Sequence, residues 1–91
     1  VVGTPYYMSP EMIDRSPYGT GVDYWALGVL IFEAVTGCLP FTGETPRMVF
    51  AAIRKVKVPW AKLRKLRDPM LESLVMDLLC HNQADRADYM Q

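Results

Sequence analysis

Cysteine, histidine and long apolar runs are all scarce in this sequence. Two cysteines in 91 residues, Cys38 and Cys80, are too few for the disulfide framework of a small secreted domain. The chain also shows no basic-then-apolar leader, and together these features point to a reducing intracellular compartment, cytoplasmic and/or nuclear. The single histidine, His81, stands beside Cys80 without further ligands nearby, so no metal site is expected. The most apolar run, Tyr24–Phe32, is far shorter than the ~20 residues of a membrane span. Net charge is absent as well: ten bases balance ten acids, which removes any general attraction to nucleic acid or to an anionic membrane.

What is present is globular. An apolar share of 51% and a charged share of 22% exclude a disordered tail. A chain of 10.3 kDa makes one domain at most, able to bury roughly 64% of its unfolded surface. The neutral total hides a pattern. Residues 1–46 carry one base and five acids, residues 47–67 eight bases and no acid, and residues 68–91 one base and five acids. There is no initiator Met and the chain ends in a helical-looking segment, so both ends are expected to be cut.

Three dipeptides, Ser9-Pro10, Thr45-Pro46 and Asp68-Pro69, each place a capping side chain before a proline suited to the first helical position. Each predicts a helix start. The first helix is short, about Pro10–Asp14, because Ser16-Pro17-Tyr18-Gly19 has turn chemistry. The next starts near Thr20, whose hydroxyl with Asp23 resembles a capping box, and runs to Gly37 as C′ residue. Its body, Tyr24–Phe32, has no polar face and therefore calls for more surrounding protein than the rest of this chain supplies. A third helix to about Lys55 buries Val49, Ala52, Ile53 and Val56 at i, i+3, i+4 and i+7. Lys57–Arg67 reads as a loop. A fourth helix from Pro69 presents Leu71, Leu74, Val75, Leu78 and Leu79, and Gln83–Gln91 begins a fifth. No strand, repeat or low-complexity segment is expected.

Gly3-Thr4-Pro5-Tyr6-Tyr7-Met8-Ser9-Pro10-Glu11, followed by Asp23-Tyr24-Trp25-Ala26-Leu27-Gly28, resembles the C-terminal lobe of eukaryotic protein kinases. The first block matches the end of the activation segment, G-T-P-x-Y-x-[AS]-P-E, and the second the start of the lobe's central helix, D-x-W-[SA]-L-G. Gly37-Cys38-Leu39-Pro40-Phe41 matches the G-x-x-P-F turn after that helix, and Arg86 sits at the family's closing arginine. Four ordered blocks cover essentially the whole chain. Pro40–Pro46 and Val58-Pro59-Trp60 look like the AGC group, especially its Greatwall-like and microtubule-associated Ser/Thr kinase branches. Tyr6-Tyr7-Met8-Ser9 is closer to NIMA-related kinases. The implied fold is mainly α, part of the helical C-lobe, with 1–91 a partial kinase domain lacking the N-lobe and catalytic loop.

The resemblance assigns roles that must be weighed against plainer ones. Thr4 alone would be a loop residue bonded to its own backbone; its family counterpart couples the peptide platform to the catalytic loop and marks a Ser/Thr acceptor. Val1, Pro5 and Met8 match positions lining the pocket for the residue just after the acceptor, so an apolar residue is implied there. Glu33, the lone charge in its helix, would otherwise face solvent; its counterpart binds an arginine N-terminal to the acceptor and accepts a hydrogen bond from the tyrosine matching Tyr7. Glu11 and Arg86 would pass for solvated charges, but the family pairs them in a partly buried ion pair. Asp23 has a sufficient role in the capping box, whereas its counterpart accepts backbone N–H bonds from the catalytic loop. Trp25 is core on size alone.

The basic stretch Arg54–Arg67 is a solvated loop or a dock for acidic partners or phosphorylated segments. Nucleic acid is disfavoured because no recognition fold accompanies the charge. The phosphate-cradling glycine loop, its lysine, the catalytic aspartate and D-F-G do not occur in these residues. The resemblance therefore implies a parent Ser/Thr kinase using ATP and Mg²⁺ on protein substrates, with these 91 residues carrying substrate recognition and no catalytic residue. The alternative is a truncated or pseudokinase product acting as a protein-binding module.

Overall fold

A computed structural model describes residues 5–15, 19 and 21–81. Among them the chain is helical and contains no strand. A 3₁₀ turn at Pro5–Tyr7 precedes α1 (Pro10–Ile13), α2 (Gly21–Thr36), α3 (Pro46–Arg54), α4 (Trp60–Arg64) and α5 (Pro69–Leu78). The expected helix over Gln83–Gln91, and Thr20 of the expected capping box, lie outside the described residues.

The proline-marked starts fall where the sequence puts them, and two of the three caps form. Thr45, in an extended conformation, accepts a hydrogen bond from the Met48 N–H at 3.2 Å, and Asp68 accepts one from the Leu71 N–H at 3.1 Å. Ser9 corrects the expectation: it is extended at the N-cap of α1, yet its hydroxyl makes no capping bond. The side chain is fully buried, and its oxygen has no hydrogen-bond partner among the described residues.

α2 is the central element. Its C-terminus is closed by Gly37 at φ +76°, whose N–H donates to the Glu33 carbonyl at 2.9 Å. This left-handed position suits glycine, because a side chain there costs roughly 1–2 kcal/mol. The Thr36 hydroxyl donates to the Phe32 carbonyl at 2.7 Å and accepts from the Cys38 N–H at 3.2 Å, fixing the loop that follows.

Trp25, Val29 and Phe32 of α2 are fully buried against Phe41, Val49, Ile53, Leu63, Val75 and Leu79. Phe41 stacks on Trp25 at a centroid separation of 5.4 Å and 11° between planes. Such a pair contributes about 0.5–1.5 kcal/mol beyond area burial. Gly28 marks where α2 and α5 approach closest: a Cβ there would lie 2.9 Å from both Leu78 Cβ and Leu79 Cδ2. The other side of α2 is open, with Leu27 39% and Leu30 53% exposed. The apolar helix is enclosed on one face only.

The stretch after α3 departs from the expected loop. Trp60–Arg64 forms the short helix α4, because Ala61, Lys62, Leu63 and Arg64 are good helix formers and Leu63 is buried in the core. Between α3 and α4, Val56 takes φ +49°. The Val56 N–H donates to the Ile53 carbonyl at 3.0 Å and the Lys57 N–H to the Ala52 carbonyl at 2.9 Å, a Schellman closure with valine where glycine is usual. A β-branched residue held there stores roughly 1–3 kcal/mol of strain.

Candidate functional site

The segment from the 3₁₀ turn into α1 lies across α2 and α3. Tyr6 and Tyr7 are half-buried and pack onto the core, while Ser9, Pro10 and Glu11 are buried outright. A tyrosine pair followed by a serine–proline helix start thus anchors the segment from both sides. Met8, between the two anchors, is half-buried.

The geometry centres on Tyr7 and Glu33. The Tyr7 hydroxyl donates to Glu33 Oε1 at 2.6 Å, joining residues 26 positions apart. The Glu33 carboxylate raises the Tyr7 pKa above its ordinary 10.0, chiefly through this bond, then through desolvation and the repulsion a phenolate would feel. Glu33 is half-buried and belongs to the last turns of α2, where the negative end of the helix macrodipole favours a cation and not a carboxylate. The phenol satisfies one oxygen by a charge-assisted bond. The result is an oriented acceptor with capacity to take an incoming guanidinium or ammonium group.

The structure brings together Tyr7 and Glu33, as expected, and puts Trp25 at the centre of the core. Pro5 opens the 3₁₀ turn. Val1, Thr4 and Arg86 lie outside the described residues. Glu11 is only 7% exposed, which a merely solvated surface charge would not be. Asp23 is exposed in the first turn of α2.

Among the described residues no group of three His, Cys, Asp or Glu side chains converges where a metal ion could be held. Among the same residues, no helix is long and apolar enough to cross a membrane. Cys38 is a free thiol.

Two features escaped sequence reasoning. The close approach at Gly28 was signalled by a lone glycine inside an apolar helix. A groove beside α3, formed by Cys38–Thr42 and Lys57–Lys62, joins segments about 20 positions apart; its only linear signal is valine and tryptophan interleaved with the basic run.

The family model described as the protein kinase domain matches residues 1–91. The chain is 39% identical over 87 residues to the serine/threonine-protein kinase greatwall of Gallus gallus, and 40% identical over 87 residues to that of Homo sapiens. It is 42% identical over 87 residues to the serine/threonine-protein kinase PAK mbt of Drosophila melanogaster. Each alignment covers 96% of this chain, but only 10% of the two greatwall kinases and 14% of PAK mbt. Greatwall and PAK kinases, at near-equal identity, agree on the Ser/Thr protein kinase family. With the whole chain matched and its helical platform in place, this chain belongs to the protein kinase domain family.

Proposed function

We propose that this chain is the substrate-recognising part of the C-terminal lobe of a Ser/Thr protein kinase, whose intact form transfers the γ-phosphate of ATP to protein hydroxyls. The observation that carries this reading is the Tyr7–Glu33 hydrogen bond of 2.6 Å, which holds a carboxylate under the platform that the kinase family uses for peptides. In this reading Glu33 pairs with a basic residue N-terminal to the acceptor. Val1, Pro5 and Met8 contact an apolar residue just after it, and Thr4 links the platform to the catalytic loop. Glu11 and Arg86 form the ion pair that ties the segment to the back of the lobe, a role supported by the burial of Glu11. Asp23 receives backbone N–H groups of the catalytic loop, a role its exposure leaves available. ATP and Mg²⁺ are held elsewhere in the parent enzyme, and the branch is AGC-like, of the Greatwall or microtubule-associated type.

The test is phosphorylation of a positional peptide library by the intact parent protein with ATP and Mg²⁺. Transfer to serine and threonine, with an apolar residue selected after the acceptor, is the expected result. Transfer to tyrosine overturns the acceptor assignment, and absence of transfer favours the protein-binding module.

A further inference from the structure

Two cavities on the flank of α3 open into one groove. The larger, about 570 Å³, lies between the loop after α2 and the segment leading into α4. The smaller, about 270 Å³, runs along α3, and Thr42, Ala52 and Lys57 line both. The floor of the larger cavity is apolar, built from Leu39, Pro40, Val58 and Pro59. Its walls carry Lys57 and Lys62, and the smaller cavity adds Lys55. No carboxylate lines either cavity among the described residues.

Among the described residues the positive charge here is uncompensated. Of the eight bases in residues 47–67, Arg54 is paired with Asp14 at 2.8 Å and Arg64 with Glu72 at 3.1 Å. Lys55, Lys57 and Lys62 make no ion pair among the described residues; the Lys62 ammonium instead donates to Cys38 Sγ at 3.4 Å. The backbone is bent to produce this arrangement, since the positive φ of Val56 turns the chain immediately before Lys57 and Val58 reach the groove. Apolar atoms recessed between cationic walls suit an inserted side chain flanked by acids. An anionic membrane needs apolar groups that protrude, and a small anion would leave the apolar floor wet.

We propose that this groove docks an acidic linear segment of a protein partner, with one apolar side chain on the Leu39–Pro40–Val58 floor and flanking carboxylates on Lys55, Lys57 and Lys62. Its charge preference is opposite to that of Glu33, so the two sites read different stretches of a partner.

The probe is a fluorescein-labelled synthetic peptide with leucine flanked by glutamates, titrated against the full-length parent protein by anisotropy. Binding should weaken with added salt. It should fall roughly tenfold in a Lys57→Glu, Lys62→Glu double variant and by a smaller factor in the Lys→Gln pair, with melting temperatures unchanged. Replacing the peptide's leucine with asparagine should weaken binding as well. Bound peptide should protect Cys38 from iodoacetamide, read by mass spectrometry, while labelling of Cys80 stays constant. Equal affinity for the double variant, indifference to the leucine, or no protection of Cys38 overturns the proposal. So does lysine-dependent binding to phosphatidylserine vesicles without binding to the peptide.

Discussion

Tyr7 holds its proton more tightly than a free tyrosine because losing it would set a phenolate against the Glu33 carboxylate. A folded-state pKa raised above the ordinary 10.0 fixes the sign of the pH dependence. The bond's contribution to stability is fully present below about pH 10 and is lost as pH climbs through the raised value. An ultraviolet titration of the tyrosines should therefore show one late-ionising group that disappears in Tyr7→Phe and moves down toward 10.0 in Glu33→Gln. Identical titration curves for the three proteins would contradict this. Gly28 offers a second residue-scale test. A methyl group there meets Leu78 Cβ and Leu79 Cδ2 at 2.9 Å, so Gly28→Ala should cost about 1–3 kcal/mol in denaturant unfolding. The motif places a glycine at this position, but the reason becomes visible only once α5 is packed against α2.

At the scale of elements, identical local grammar gives unequal results. Ser9-Pro10, Thr45-Pro46 and Asp68-Pro69 all open helices, because proline at the first position needs no N–H partner and residues before proline favour extended backbone. Thr45→Ala and Asp68→Ala should each cost about 1 kcal/mol, since each removes a capping bond. Ser9→Ala should be close to neutral, because the hydroxyl lost is buried and has no partner among the described residues. A thermal melt of the three variants checks the contrast; an equal loss in all three would contradict it. Helix starts are legible because caps and prolines act over three or four residues. The helix α4 is not legible, because five residues give little periodicity and its surrounding bases read as a solvated loop. What decides it is the burial of Leu63, a tertiary contact.

At the scale of the molecule, one apolar helix organises everything described. α2 takes the core on one side, α5 at its Gly28 face, the tyrosine-anchored turn at its C-terminal end through Glu33, and leaves Leu27 and Leu30 exposed. The mainly helical architecture was readable from the proline-marked helix starts and the family resemblance, and the central position of Trp25 from its size. The Tyr7–Glu33 contact was readable only through family resemblance, since nothing local links residues 26 positions apart. The groove was not readable, because its walls meet only after α3 and its strained closure at Val56 bring them together. Only the sign of charge at each place was legible in sequence order, an acidic first half holding Glu33 and a basic middle lining the groove.

Under the proposed function, the oriented Glu33 carboxylate selects basic residues in a Ser/Thr substrate. It is tested most directly by peptide-library phosphorylation with the intact parent kinase as wild type and as Glu33→Gln. Selection for arginine N-terminal to the acceptor should fall roughly tenfold in the variant, while selection for the apolar residue after the acceptor stays unchanged. Unaltered arginine selection in an active Glu33→Gln enzyme would contradict it.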